Sequence, residues 1–412
     1  MPSPLRLCLL ALVCFALPVH AQDAAPEAPL ATPMAQVRVA FDRDGVVATQ
    51  ARGMADVAAQ RAITAEDPAR VASVSKLVTA IAVMRLVEQG KLRLDADVSK
   101  TLGFTLRNPA FPKTPITLRM LLSHTSSLTD NAGYWNVPLG EELRGTILTD
   151  ARAWDAAHAP GTFFRYSNLN FPLIAQAMER ATGERFDRLM RRLVFEPLHI
   201  AACFNWSECD PATIARAVVL YDADGKPQRD DLHGKAPTCP VIAGKDGACD
   251  IDTAWRPGTN GTLFSPQGGL RISANGLATI GRLLLNNGRL AKTRLLKPSS
   301  VRTLLTPVWT FDGNNGVIGE EDEPDRGGFF CRYGLAVQHV ASGDGTTCRD
   351  DLFGDGRTRF GHSGNAYGLL SGLWIDHAAG TGVAYFFTGV SNASSGTHSA
   401  FSRTEEQGAQ GW

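Results

Sequence analysis

The chain of 412 residues carries 41 basic and 41 acidic side chains, so its formal net charge at pH 7 is zero. A balanced charge gives no general attraction for nucleic acid or for an anionic membrane surface. With 44% hydrophobic residues, the composition is that of an ordinary globular protein. The expected partner is therefore a small-molecule or peptide substrate, with no nucleic acid involved.

Residues 1–21 have the pattern of a secretory signal peptide. Arg6 precedes an apolar run from Leu7 to Leu17, and Val19-His20-Ala21 suits a cleavage site. The run is too short to span a bilayer, and Cys14 lacks the small preceding residue that lipid attachment needs. The sequence predicts an exported protein, periplasmic or secreted, with no membrane anchor.

Six cysteines follow the predicted signal peptide, and cysteines of an exported chain favour disulfides. A zinc site is the alternative, but no CxxC or HExxH spacing supports one. Proximity in the sequence pairs them as Cys203 with Cys209, Cys239 with Cys249, and Cys331 with Cys348.

The first elements are an Ala- and Pro-rich leader over residues 22–34 and a strand hairpin formed by residues 36–41 and 46–53. A helix is predicted from about Ser73 to Gln89, with Gly90 as its C-cap.

Helical periodicity returns over residues 116–124 and again over residues 172–198, where Gly183 breaks the pattern. Loop-like, cysteine-bearing regions follow over residues 221–262 and 311–357. A second antiparallel hairpin is predicted over residues 367–389.

Strands at both chain ends with helices between them predict an α+β domain over residues 35–412. Its antiparallel sheet would come from about residues 35–100 and 330–395, with flanking helices and a helical insertion over about 101–329. We expect a cleft between the sheet and the helices.

Lys76 interrupts one of the most apolar stretches of the chain, between Val74 and Met84. Residues three apart share a face of a helix, so Lys76 is expected beside Ser73 at the helix N-terminus. A lysine among apolar side chains has a lowered proton affinity and can accept the proton of a neighbouring hydroxyl. Ser73 and Lys76 are thus a candidate nucleophile and base. The alternative is a capping serine and a lysine that reaches solvent.

A second candidate group is Tyr166-Ser167-Asn168, directly before a helical stretch. A tyrosine near a lysine can act as a general base, and an asparagine amide can bind a substrate carbonyl. The alternative is a buried tyrosine followed by a helix cap. Tyr134-Trp135-Asn136 has the same Tyr-x-Asn spacing, but Tyr166 is preferred because Pro160-Gly161 precedes it in a longer pattern.

The third candidate group is His362-Ser363-Gly364, followed by Asn365. The glycine lets a substrate backbone approach an edge strand, and the next backbone N–H can help to hold an oxyanion. His362 can give the substrate a hydrogen bond or a partial positive charge. The alternative is a strand start with an exposed histidine. Lys245-Asp246-Gly247 is a competing Lys-x-Gly, but it lies in a predicted loop with no strand after it.

In this order, Ser-x-x-Lys, Tyr-Ser-Asn and His-x-Gly resemble the serine β-lactamase and penicillin-binding-protein superfamily, specifically its class C β-lactamase-like branch. The resemblance covers about residues 36–390 and includes "GMADV", "ITLRMLLSHTSSL", "PGTFFRYSN", "GGLRISANGLATIGRLLLNNG" and "GHSGNAYG".

This resemblance implies a β-lactamase/DD-peptidase-like fold and catalysis through an acyl-enzyme, with no metal or cofactor. Ser73 would be acylated, and Lys76 and Tyr166 would move its proton. Asn168 would hold the acyl amide of the substrate. The backbone N–H groups of Ser73 and Asn365 would form the oxyanion hole.

The sequence departs from the class C pattern at three places. His362 replaces a lysine that helps to bind the β-lactam carboxylate, and histidine is largely neutral at pH 7. Ser127 stands where the family usually has glycine. The tail over residues 391–412 is a poor helix, although this family closes its sheet with a C-terminal helix, so that helix is expected to be short or absent.

We therefore expect an exported serine hydrolase that cleaves D-amino-acid peptides or small esters. One alternative is a β-lactamase. A second is a non-catalytic protein that binds peptidoglycan fragments. An α/β-hydrolase is not favoured because the chain has no G-x-S-x-G motif.

Overall fold

The computed structural model describes residues 32–319, 326–391 and 396–412. The predicted signal peptide and residues 22–31 of the predicted leader lie outside the described residues. The α-helices in the described ranges are α1 (Val74–Glu88), α2 (Ser99–Leu102), α3 (Leu118–Leu122), α4 (Leu143–Thr149), α5 (Asn170–Thr182), α6 (Phe186–Met190), α7 (Glu196–Leu198), α8 (Pro211–Ala215), α9 (Ile251–Ala254), α10 (Ala274–Leu285), α11 (Pro298–Leu305) and α12 (Arg403–Gln410).

The strands are β1 (Ala35–Asp42), β2 (Val46–Asp56), β3 (Arg61–Ala62), β4 (Ala69–Arg70), β5 (Cys203–Phe204), β6 (Leu220–Tyr221), β7 (Pro227–Arg229), β8 (Leu270–Ile272), β9 (Arg289–Leu290), β10 (Thr293–Arg294), β11 (Trp309–Thr310), β12 (Arg332–Tyr333), β13 (Gln338–Val340), β14 (Arg359–Ala366), β15 (Leu369–Asp376) and β16 (Thr381–Thr388). In the described residues, the largest sheet has nine antiparallel strands in the order β11-β12-β13-β14-β15-β16-β1-β2-β3.

The two chain ends meet in the middle of this sheet. β1 pairs with β16 from Ala35 opposite Thr388 to Asp42 opposite Thr381. Alternate residues of β1 are buried, as the two-residue period of a strand requires. The predicted hairpins and the α+β class are confirmed. The predicted insertion, residues 101–329, contributes the edge strand β11 and the helix α10 that packs against β1 and β16.

Helices cover both faces of the sheet. On one face, the ring of Phe41 packs against Gly281 of α10, where an added Cβ would lie 2.2 Å from the ring. On the other face, Tyr385 packs against Gly408 of α12. Because both faces are covered, nearly every residue of β15 and β16 is buried.

Helix α1 runs through the interior between the sheet and the other helices. Its residues from Val74 to Met84 are all buried, so its apolar side chains point in every direction. This explains why apolar residues lie on every face of the helix around Lys76. The predicted break at Gly183 is confirmed, because Gly183 ends α5 in the left-handed conformation at φ 72°.

The C-terminal helix is present but short. Ser402 and Glu405 form a capping box at the start of α12, and the buried carboxylate of Glu405 pairs with the guanidinium of Arg326 at 3.0 Å. Of the two expected outcomes, a short helix is the correct one. The helix α12 is stabilised by its capping box and its ion pair, and these polar contacts cannot be predicted from a hydrophobic pattern.

The turn at Ser127 keeps the conformation that favours glycine. Ser127 has φ 63°, in the left-handed region, and its Oγ accepts a hydrogen bond from Asn108 Nδ2 at 3.0 Å. The unusual serine is thus accommodated by a local partner.

All three predicted disulfides are present: Cys203 with Cys209, Cys239 with Cys249, and Cys331 with Cys348. Among the helices of the described ranges, none has the length and apolar character needed to cross a membrane.

Candidate active site

Ser73 lies at the end of a tight turn that joins β4 to α1. β4 is fixed by pairing with β8, and Ala72, the residue before the serine, adopts a left-handed backbone with φ 45°. Such a conformation is strained for a residue with a side chain and is frequent at functional sites. The Ser73 side chain makes no capping bond to the helix backbone, which argues against the purely structural interpretation.

The amine of Lys76 contacts the hydroxyl of Ser73. Lys76 is fully buried, and its Nζ lies 2.9 Å from Ser73 Oγ. It donates to Asn168 Oδ1 at 2.7 Å and to the carbonyl oxygen of Gln267 at 2.9 Å. The alternative of a lysine that reaches solvent is therefore wrong. Its nitrogen is thus enclosed by three oxygen atoms, one of which is the hydroxyl of Ser73.

Asn168 is fixed from its other end by Asp130. The Asp130 carboxylate accepts from the backbone N and from Nδ2 of Asn168, both at 2.9 Å. It also accepts from Ser167 Oγ at 2.8 Å and from Leu169 N at 2.9 Å. Since Nδ2 faces this carboxylate, the amide oxygen of Asn168 must face Lys76. Asp130 therefore decides which way the asparagine points.

Tyr166 packs over the buried amine of Lys76, between two other rings. Its ring centroid is 4.9 Å from Lys76 Nζ, 4.3 Å from the stacked ring of His124 and 4.9 Å from that of Phe330. Burial, with smaller contributions from Lys76 and His362, lowers the pKa of His124 well below its usual value. A neutral His124 accepts a hydrogen bond from Ser167 N at 3.1 Å, which fixes the ring under the tyrosine.

His362 lies in the site but is buried and neutral. Burial, and next the nearby Lys76, lower the pKa of His362 to about 3. Its Nε2 is 2.7 Å from Tyr333 Oη, and its Nδ1 is 2.5 Å from the carbonyl oxygen of Ser363. The expectation that His362 gives the substrate a partial positive charge needs correction, because desolvation removes that charge. The alternative of an exposed histidine is also wrong.

Strand β14 carries Ser363, Gly364 and Asn365 past Ser73. A Cβ on Gly364 would lie 2.6 Å from the carbonyl oxygen of Val71 and 3.1 Å from the backbone nitrogen of Ser73. Only glycine permits so close an approach at this point. It brings the strand backbone beside the N-terminus of α1, where partial positive charge can stabilise an oxyanion.

The predicted groups meet at one cavity of about 570 Å³, although Lys76 is enclosed behind its wall. The rival Tyr134 and Trp135 line the same cavity, but burial raises the pKa of Tyr134 well above its usual value, which makes it a poor base. The rival Lys245 lies elsewhere, in an exposed ion pair with Glu141 at 3.0 Å. The described lining residues are Ser73, Asp130, Asn131, Tyr134, Trp135, Tyr166, Asn168, Val317, Gly319, Phe330, His362, Ser363, Gly364 and Asn365.

Four groups of the site have no motif of their own in the sequence. His124 lies within "ITLRMLLSHTSSL", which carries only the family resemblance, and Asp130 follows that stretch by two residues. Tyr333 has no local signal, since its partner His362 is 29 residues away. Gln267 acts through its backbone carbonyl, which side-chain patterns do not report. Within the described ranges, no group of three His, Cys, Asp or Glu side chains is placed to hold a metal ion.

A buried lysine against a serine hydroxyl, at the N-terminus of a helix that packs on an antiparallel sheet, defines a serine hydrolase of the β-lactamase fold. The chain belongs to the Beta-lactamase family, whose family model matches residues 30–405. The predicted family and enzyme class are confirmed.

Two curated relatives are similar to parts of the chain. Esterase EstB of Burkholderia gladioli is 32% identical over 197 residues, which cover 44% of this chain and 48% of the esterase. The D-alanyl-D-alanine-carboxypeptidase/endopeptidase AmpH of Escherichia coli K12 is 34% identical over 135 residues, which cover 31% of this chain and 34% of that protein. The matched part thus spans less than half the length of either relative.

Solved structures share the fold. The D-alanine carboxypeptidase AmpC from Burkholderia cenocepacia matches with a TM-score of 0.60 and 18% identity, over 86% of this chain and 88% of that one. A D-stereospecific amidohydrolase from Streptomyces sp. matches with a TM-score of 0.57 and 21% identity, over 86% and 89% of the two chains. At such identities the likeness establishes the fold alone.

Proposed function

We propose that this protein is an exported serine hydrolase that cleaves D-amino-acid peptides or small esters through an acyl-enzyme on Ser73. The observation that carries the proposal is the 2.9 Å contact between Ser73 Oγ and Lys76 Nζ. In the structure Lys76 Nζ donates to all three oxygens, as an ammonium group does. Once it has lost one proton, the neutral amine keeps two hydrogens for Asn168 Oδ1 and the Gln267 carbonyl, and its lone pair can take the serine proton.

The proposed reaction begins with acylation of Ser73. Ser73 Oγ bonds to the substrate carbonyl carbon as its proton passes to Lys76, with Tyr166 beside it. The backbone N–H groups of Ser73 and Asn365 hold the oxyanion. The tetrahedral intermediate expels an amine or alcohol, which takes the proton back. A water molecule then attacks the carbonyl carbon of the acyl-enzyme in the same way, which releases the acid and restores the hydroxyl of Ser73.

Asn168 is the proposed contact for the acyl amide of the substrate. Its Nδ2 group has two hydrogens, of which Asp130 accepts one, and the second can be donated to a substrate carbonyl. In the same cavity, the exposed side chain of Asn365 and the backbone around Gly364 offer an edge along which an extended peptide can lie.

The proposed substrate class is supported by the histidine in the third motif. His362 is neutral and hydrogen-bonded within the protein, so it supplies no cation for a β-lactam carboxylate. One partial relative is an esterase and another a D-alanyl-D-alanine-carboxypeptidase/endopeptidase, which agrees with peptides or esters. A β-lactamase remains the second candidate because the Ser-Lys-Tyr group is complete. Export is supported by the three disulfides, which persist in oxidising compartments.

Covalent labelling tests the proposal. A fluorophosphonate or a fluorescent penicillin should label the protein, and Ser73→Ala should abolish the label. Lys76→Ala should slow labelling by about 100- to 10,000-fold, as expected for loss of a general base. Ser299→Ala and Lys297→Ala, at exposed positions on or next to α11, are matched controls that should label normally.

If neither probe labels the folded protein, the hydrolase proposal fails and the non-catalytic binding protein is favoured. If labelling occurs, turnover of p-nitrophenyl esters, D-Ala-D-Ala peptides and a chromogenic cephalosporin ranks the substrates. A cephalosporin turned over best would favour the β-lactamase alternative.

A further inference from the structure

A second cavity of about 760 Å³ adjoins the catalytic one. Trp135 lines both cavities. Gln267, whose carbonyl binds Lys76, also lines the second cavity. The two cavities therefore share part of a wall, close to Ser73 and Lys76.

Arg70 lies in the wall of the second cavity, three residues before the nucleophile. Only 7% of its surface is exposed. Its Nη2 and the carbonyl carbon of Ala72 are both 3.8 Å from the position a Cβ on Gly268 would take. The guanidinium is thus close to the turn that presents Ser73.

This buried guanidinium has only a more distant carboxylate neighbour, Asp230, whose charge raises the pKa of Arg70 by less than burial and Arg271 lower it. In the described parts of the chain, Arg70 forms no ion pair and its Nε has no hydrogen-bond partner, while Nη2 donates to Ser265 Oγ at 3.3 Å. The neighbouring Arg271 is equally buried but pairs with Asp230 at 2.8 Å. A desolvated cation without a direct ion pair is costly, and Asp230 offsets only part of that cost.

The surroundings of Arg70 carry charges of both signs, because Arg229 and Arg271 line the second cavity together with Asp230 and Asp231. Tyr367, on the turn after β14, has its ring centroid 5.0 Å from Arg70 Cζ and 5.1 Å from Arg229 Cζ. Burial, and next the proximity of Arg271, lower the pKa of Arg70 to about 9, so it is still protonated at pH 7. Meanwhile, the described lining of the catalytic cavity includes no lysine or arginine.

We propose that this cavity is an anion subsite in which Arg70, assisted by Arg229, binds a carboxylate of the substrate. The inference rests on the proposed function and narrows its substrate class to esters or amides of acidic compounds. The carboxylate would lie away from the bond that Ser73 attacks. The positive charge of this subsite comes from the arginines, because His362 is neutral.

Half-esters provide the test. We would measure kcat/KM for the mono-p-nitrophenyl esters of succinate, glutarate and adipate, each against its neutral methyl diester. In Arg70→Gln, the ratio of charged to neutral kcat/KM for the best charged ester should fall by about 10- to 100-fold, the loss expected for a charge-assisted hydrogen bond. Arg70→Lys should restore part of it, and the ratio should also fall as ionic strength rises.

Arg302→Gln, at an exposed position on α11, is the matched control and should leave the ratio unchanged. If Arg70→Gln fails to fold, Arg229→Gln decides, with an expected loss of about twofold to fivefold, because this arginine is exposed and more weakly coupled. A ratio that neither folded arginine variant changes would overturn the subsite.

Direct binding separates failure of the subsite from failure of the hydrolase proposal. If the wild-type protein neither labels nor hydrolyses any ester, the hydrolase proposal fails, and calorimetric titration of Ser73→Ala with glutarate still tests the anion site. The anion site is supported if Ser73→Ala binds glutarate and the double variant Ser73→Ala, Arg70→Gln does not. Binding of inorganic phosphate in preference to glutarate, or of neither, overturns the carboxylate assignment.

Discussion

Replacing Asp130 by asparagine tests how the active site is positioned. The change keeps the size of the side chain but removes the charge and turns one acceptor oxygen into a donor. If the new amide nitrogen takes the place of Oδ2, it faces both the backbone N and Nδ2 of Asn168. If it takes the place of Oδ1, it faces Leu169 N and Ser167 Oγ, and only the hydroxyl can turn to accept.

The second orientation is less costly, and it leaves one buried N–H without a partner. That costs about 1–3 kcal/mol, and the remaining bonds lose the strength that a charged acceptor gives. Loss of about 2–3 kcal/mol in positioning Asn168 against Lys76 corresponds to roughly 30- to 150-fold slower acylation. We expect that loss in the second-order rate constant for labelling of Ser73 by a fluorophosphonate.

The control is Asp344→Asn, because Asp344 also accepts backbone N–H groups, from Thr346 and Thr347, but lies in an exposed loop. It should label at the wild-type rate. Thermal unfolding, measured in parallel, identifies any loss that comes from unfolded protein. A folded Asp130→Asn protein that labels within threefold of wild type would refute the positioning argument.

Three further predictions concern packing, covalent structure and pH. Gly364→Ala should slow labelling by about 100-fold or more, because its Cβ would press on the turn before Ser73; Gly145→Ala, in open space on α4, should label normally. Cys331→Ser combined with Cys348→Ser should lower the free energy of unfolding in urea by about 3 kcal/mol, since it opens a loop with a sequence separation of 17. Burial lowers the pKa of His339 to about 4, so its stabilising effect is full above about pH 6.5 and is lost as the pH falls towards 4. The free energy of unfolding should therefore fall by about 3 kcal/mol more in the wild type than in His339→Gln over that range, and equal falls would contradict it.

The parts of the fold that the sequence predicts are those whose signal is local. The alternation in β1 and the largely apolar sequence of α1 lie within single elements, and Gly183 ends a helix by its own backbone freedom. Helix α12 shows the opposite case. Its ion pair joins Glu405 to Arg326, 79 residues away, so no local pattern announces it.

The candidate site follows the same division. Ser73 and Lys76 are adjacent on one turn of helix, so their spacing alone predicts their contact. The state of His362 could not be predicted in this way, because its neutrality comes from burial and its orientation from Tyr333 on another strand. Asp130 is polar and partly exposed, which is typical of loop residues, and only the folded chain brings Asn168 to it.

The charges of the two cavities then bear on substrate choice. In class C β-lactamases, which the motifs resemble, a lysine of the third motif binds the substrate carboxylate close to the reacting carbonyl. Here that position holds the neutral His362, whose nitrogens contact Tyr333 and the Ser363 carbonyl. In our proposal the carboxylate is bound instead by Arg70, on the strand that leads into the nucleophile. A substrate whose carboxylate adjoins the scissile bond should therefore be favoured less than one whose carboxylate is carried on a longer chain.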